Sequence, residues 1–137
     1  MTDPTRAALL ALAERCEQAS GPDRWLDAKI FAAMKGAGWH AAAPGYCVRG
    51  RTVNNAGQTT GCPPFTGDVG QAAHIVPAGW LWQAGNYPHP NAACFPADER
   101  YTTSSGEDDE NQRPRTVTLA LCAAALRARA EEAGDGD

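Results

Sequence analysis

The stretch that most constrains this chain runs from Pro63 to Trp82: Pro-Pro-Phe-Thr-Gly-Asp-Val-Gly-Gln-Ala-Ala-His-Ile-Val-Pro-Ala-Gly-Trp-Leu-Trp. Two prolines and Phe65 lead into Thr66 and Asp68, whose short polar side chains suit a helix N-terminus. A short apolar segment follows, and Pro77-Ala78-Gly79 then has the chemistry of a tight turn. Trp80, Trp82 and Ala84 open a period-2 alternation. The order predicts loop, short helix, turn and strand in quick succession, so the rest of the chain must pack around this unit.

At 137 residues the chain is long enough for one domain with one core. Apolar residues make up 43%, but Ala supplies many of them, so few large side chains are left to build that core. The four Trp, three Phe and three Tyr therefore carry more packing than their 7% suggests. A formal charge of -4 and no Lys/Arg block argue against general binding to duplex nucleic acid, which needs a basic face to neutralise phosphates. No segment approaches the roughly 18–20 apolar residues of a membrane span. The apolar run Ala7–Ala13 ends at Glu14 and Arg15 without a cleavage-like site, so a cytosolic protein is expected. Five scattered cysteines with no CxxC predict reduced thiols.

In chain order, residues 4–19 predict a helix with Leu9, Leu12, Ala13 and Cys16 on its apolar face. Arg6, Glu14, Arg15, Glu17 and Gln18 are left to solvent. Ser20-Gly21-Pro22-Asp23 stops it and starts a second helix over 25–34, with the Ser20/Asp23 spacing of a capping box and Leu26, Ile30, Ala33 and Met34 inward. The short connection predicts an antiparallel hairpin. Residues 38–60 read as a long loop, either functional or disordered, with Tyr46-Cys47-Val48 a possible short strand and 53–57 a turn or loop tip. Residues 92–96 predict a strand antiparallel to the one beginning at Trp80, and 100–103 a third. Residues 104–113 read as an acidic, solvated loop. The last helix follows Pro114, capped by Thr116 or Thr118, with Leu119, Cys122, Ala125, Leu126 and Arg129 at helical spacing. Its tail over 133–137 is expected to fray.

Three of these pieces together resemble the small phage-encoded proteins that carry the phage ABA sandwich domain. They are the opening helices with Leu26-Asp27-Ala28 and Ile30, the run from Pro64-Phe65-Thr66 to Val76-Pro77-Ala78-Gly79-Trp80, and the closing Thr118–Arg129. The resemblance spans most of the chain outside 38–60 and 84–113, and the order of all three pieces is more specific than a Pro-Gly-Trp corner alone. It implies a compact layered α/β domain from a phage or prophage genome. It brings no established reaction and no catalytic residues.

The residues themselves carry little chemistry. His40, His74, His89, Cys47, Cys62 and Cys94 are metal-ligand types at spacings that match no compact zinc site, and a Cys47–Cys62 contact would need two strands to meet. No nucleophile elbow or activated thiol is visible. Gly67-Asp68-Val69-Gly70 is not a phosphate-loop fingerprint, although a helix start at Thr66–Gly67 would present N–H groups to an anion. Arg49, Arg51, Arg113 and Arg115 lie in or beside loops where guanidinium forks grip phosphates, and Trp82 is among the aromatics able to stack on a base.

The fold expected is α/β (α+β), a single-domain layered sandwich of a small antiparallel sheet with two N-terminal helices and one C-terminal helix. The function expected is a non-enzymatic phage protein that binds a small anionic ligand through Arg49, Arg51, Thr66, Trp82, Arg113 and Arg115. A host nucleotide immune signal, sequestered by an anti-defence sponge, is the candidate ligand. The alternative is a protein-interaction module acting through exposed aromatics and the acidic loop, and hydrolysis of such a signal is a third reading. No cofactor and no metal are expected. A homo-oligomer is, built by the Ala-rich last helix packing on a copy of itself.

Overall fold

The structure, a computed structural model, describes residues 4–35, 39–41, 51–54, 59–61, 64–86, 89–96, 102–106 and 114–134. Helix α1 (Pro4–Gln18) opens with a proline, whose missing N–H is no loss in a first turn. It buries Leu9, Leu12, Ala13 and Cys16, the face its spacing predicts. Helix α2 (Arg24–Lys35) begins where Asp23 Oδ1 accepts the N–H groups of Trp25 (2.9 Å) and Leu26 (3.2 Å). Asp23 is thus itself the cap, and the expected capping box at Ser20 is replaced by this simpler device.

Residues 39–41, 51–54 and 59–61, in the segment expected to be a long loop, are strands. Strands β1 (Trp39–Ala41), β2 (Arg51–Asn54) and β3 (Thr59–Gly61) form an antiparallel meander in that order, with β1 against α2. Val53 and Asn54 belong to β2 rather than to a loop tip. The segment Tyr46–Val48 and the Cys47–Cys62 pair lie outside the described residues.

The central unit keeps the predicted order of loop, short helix, turn and strand. Asp68, in extended conformation, caps the short helix α3 (Val69–Ala72), and a 3₁₀ turn over Ala73–Ile75 continues it. Gly79 has φ +84° and the Trp80 N–H donates to Pro77 O (3.1 Å), the geometry of a type II turn, which favours glycine at that position. Strand β4 (Trp80–Gly85) then pairs antiparallel with β5 (Asn91–Pro96), in register from Trp80↔Pro96 to Gly85↔Asn91. Strand β6 (Thr103–Ser105) pairs with the far side of β5 and lies further along the chain than the 100–103 expected, so Ser104 and Ser105 leave the acidic loop for the sheet. Gly106, at φ +85°, ends β6 where a Cβ would stand 2.3 Å from Pro90 O.

Helix α4 (Val117–Gly134) is capped by Thr116, whose Oγ1 accepts the Leu119 N–H (3.1 Å). Every residue from Leu119 to Leu126 is fully buried, as are Ala128 and Ala130. The helix lies between α1 on one side and the β4–β6 sheet on another, with α3 and its 3₁₀ turn also against it. This explains its composition: a helix covered all round needs apolar residues all round, and Ala on several faces lets its neighbours approach closely. The Ala-rich face is therefore occupied within the protein, which removes the expected self-packing of this helix as a route to an oligomer. The layered α/β sandwich stands, with the C-terminal helix between the helical hairpin and the second sheet.

Polar ties fix these layers. Glu17, only 5% exposed and so not the solvent-facing residue expected, forms a two-bond ion pair with Arg127 (2.6 and 2.7 Å) and accepts Ser105 Oγ–H (2.6 Å). Arg127 also donates to Ser104 O (2.8 Å), so one ion pair joins α1, α4 and β6. Arg129 Nε donates to Ile75 O, and Arg6 reaches Ala130 O (3.2 Å) at the other face.

Candidate functional site

Thr66, expected among the ligand-binding residues, faces the interior at 1% exposed. Its N–H and its hydroxyl both donate to Asp27 Oδ1 (2.7 and 2.8 Å), and its oxygen accepts the Asp23 N–H (2.8 Å). Asp27 Oδ2 in turn takes Arg24 (2.8 Å). Burial raises the Asp27 pKa above its ordinary 3.8, against the pull of the Thr66 hydrogen bonds and of Arg24. The cluster is a closed clasp between the start of α2 and the central loop, and no hydroxyl is left over for a ligand. The anion-binding helix start expected at Thr66–Gly67 is also absent, because the helix begins at Val69 behind the carboxylate of Asp68. Four residues of helix with an acidic cap attract no anion.

Three of the other five expected ligand residues are among the described residues. Arg51 lies on β2, Trp82 on β4, and Arg115 is exposed just before α4; Arg49 and Arg113 lie outside the described residues. Among the described residues no cluster of three or more His, Cys, Asp or Glu could hold a metal ion. Cys16, Cys94 and Cys122 are buried free thiols. Burial pushes the Cys94 thiol up to about 12, and the neighbouring Cys16 and burial together raise Cys122, whose Sγ–H donates to Phe65 O (3.2 Å). Cys94 and Cys122 therefore stay protonated and behave as small apolar side chains. His89 Nε2 faces Gly106 O, and a carbonyl only accepts, so that nitrogen carries the proton. An open groove of about 200 Å³ lies where α1 meets α2, lined by Arg15, Gln18, Ala19, Asp23 and Leu26. Among the described residues every buried side-chain nitrogen and oxygen has a hydrogen-bond partner.

What stands out against this closed interior is β4. Its first residue, Trp80, is 7% exposed and its indole N–H donates to Glu132 near the end of α4. Two residues on, Trp82 points to the same side of the sheet by strand periodicity yet is 42% exposed. Leu81, on the opposite side, is 54% exposed. The strand Trp-Leu-Trp-Gln-Ala-Gly contains no charge and no proline, and among the described residues it pairs only with β5. Apolar side chains are thus open above and below a strand edge that no other described strand pairs with.

The pairing also shows which main-chain groups look outward. Pro96, opposite Trp80, has no N–H to exchange, and the Trp80 N–H is turned to Pro77 O. That pair is therefore of the non-hydrogen-bonded kind, and antiparallel pairs alternate. Leu81, Gln83 and Gly85 bond to β5, while the N–H and C=O groups of Trp82 and Ala84 face the open edge.

No protein-family model matches this chain, and no curated protein or solved structure matches it either.

Proposed function

We propose that this chain is a binding module without a reaction of its own, which takes up an extended polypeptide segment along the open edge of β4. The observation that carries the reading is the meeting of outward main-chain groups at Trp82 and Ala84 with exposed apolar side chains on both sides of the strand. A segment laid alongside gains backbone hydrogen bonds from the edge, while Leu81 and Trp82 supply apolar area and side-chain selectivity. Natural sheets usually blunt such edges with charge, proline or a bulge. Here the opposite edge, β6, is short and polar, and β4 carries none of these protections. In this proposal the setting is a phage or prophage gene product acting in the host cytoplasm, on the resemblance of the three segments described above. Among the described residues no helix is long and apolar enough to cross a membrane.

A photo-crosslinking residue at Leu81, expressed in the host cell, tests this. Adducts are expected, and Ala84→Pro should abolish them, because it removes an outward donor without removing a bond to β5. Adducts that persist in Ala84→Pro would sink the reading.

Capture of a nucleotide-like anion has one observation in its favour, the exposed indole of Trp82, on which a base could stack. A nucleotide held at 100 times its dissociation constant would add about 2.7 kcal/mol to stability. A panel of nucleotides that leaves the melting temperature unmoved would remove this reading.

A further inference from the structure

We infer that the segment taken up by the β4 edge is β4 of a second copy of this chain, paired antiparallel about a twofold axis at Gln83. The inference rests on the proposed opening of that edge and names its occupant. Its basis is the self-complementarity of the strand. The groups available for pairing are those of Trp82 and Ala84, since the Trp80 N–H is already spent on Pro77 O. Two antiparallel copies can satisfy all of these groups in one register, with Trp82 opposite Ala84 of the copy and Ala84 opposite its Trp82. Each pair exchanges two N–H···O bonds.

That register also decides the side chains. On one side of the sheet the large Trp82 meets the small Ala84 of the copy, and on the other Leu81 meets the bare backbone of Gly85. Large against small at each facing position is how packed layers interdigitate. Gln83, which is exposed, faces its own copy at the axis, where its amide can both donate and accept. Moving the axis to Trp82 would set indole against indole and use Trp80, whose N–H is engaged, so the Gln83 register is the better satisfied. An uncharged strand also brings no like charges together, although the whole chain carries -4. A twofold contact needs one patch that fits itself, and this strand provides it. The resulting sheet would run β6-β5-β4-β4-β5-β6. One strand pair with Leu81 and Trp82 covers less than the ~800 Å² per partner of a standard stable interface, so the dimer should form in the micromolar range.

Sedimentation equilibrium of the full chain from about 5 to about 300 µM, with amide hydrogen exchange read at Trp82 and Ala84, tests the inference. The expected result is a mass that climbs toward two chains, with both amides becoming protected as it does. Gln83→Lys should hold the mass at one chain and leave both amides exchanging, because it places like charges directly opposite at the axis. Mixing Gln83→Lys with Gln83→Glu should restore the two-chain mass. A one-chain mass throughout, with Trp82 and Ala84 exchanging freely, overturns the second copy but leaves the edge open to another partner. A one-chain mass with both amides protected overturns the open edge as well. A two-chain mass indifferent to Gln83→Lys places the contact elsewhere and overturns the inference.

Discussion

Trp80 and Trp82 stand two residues apart on the same strand and point to the same side of the sheet, yet one belongs to the core and the other to the surface. Trp80 lies under the end of α4 and is tied to Glu132, while Trp82 projects where no described element covers it. The same contrast separates the two halves of the molecule. Around α4, helices, sheet and loops close on one another with the described buried polar side chains satisfied; along the outer half of β4, Leu81 and Trp82 stand exposed. The difference teaches that side-chain type and strand side do not fix burial here: of two tryptophans on one side of β4, only the first lies under α4.

Substitutions should separate the two regions by size of effect. The largest is expected at the ion pair that joins α1, α4 and β6. Glu17→Ala leaves the Arg127 guanidinium without its carboxylate in a half-buried site and should cost about 3 kcal/mol in chemical denaturation. A loss below about 1 kcal/mol would mean that this interior is less tightly tied than its geometry implies. Next is the clasp at Thr66. Thr66→Val keeps the shape but removes the hydroxyl that serves Asp27 and Asp23, and should cost about 1–3 kcal/mol. Binding at the β4 edge should survive at temperatures where this variant is folded; a ligand-binding threonine would instead lose binding and keep stability.

A smaller effect is expected from pH. The folded-state pKa of Asp27 is raised, so above 3.8 the unfolded chain gives up this proton before the folded one does. The contribution of Asp27 to stability therefore falls as pH rises from about that value through the folded pKa. Relative to Asp27→Asn, the wild-type melting temperature should decline across that window; a difference independent of pH would show that burial does not govern this carboxyl. The smallest effect closes the comparison. Gln83→Lys, on the exposed strand, should change monomer stability by no more than about 0.5 kcal/mol while removing the edge contact. A large destabilisation there would mean that β4 is as much a part of the core as α4.

Much of the architecture was legible along the chain. The α1 face was set by the spacing of Leu9, Leu12, Ala13 and Cys16, the type II turn by Pro77 and Gly79, and the β4–β5 pairing by two short apolar runs around turn residues. The candidate site was hardly legible. Trp82 is one aromatic among several, Thr66 has the chemistry of a free cap, and strands β1, β2 and β3 are hidden in a weakly patterned segment of Gly, Ala, Asn and Thr. The open edge itself had one trace, a six-residue strand without charge or proline, but an uncharged strand reads equally well as a central one.

What the sequence alone determined is local: the extents of α1, α2 and α4 to within a few residues, which turn Gly79 must make, and that Trp80 and Trp82 share one side of β4. These follow from backbone sterics, capping and periodicity, which act over a few residues. Only the tertiary structure decided that α4 lies between two layers, that Glu17 and Thr66 face inward, and that Trp80 is covered while Trp82 is not. Burial is set by what comes to rest on a residue from distant parts of the chain, and in this protein Glu132 reaches Trp80 from 52 positions away.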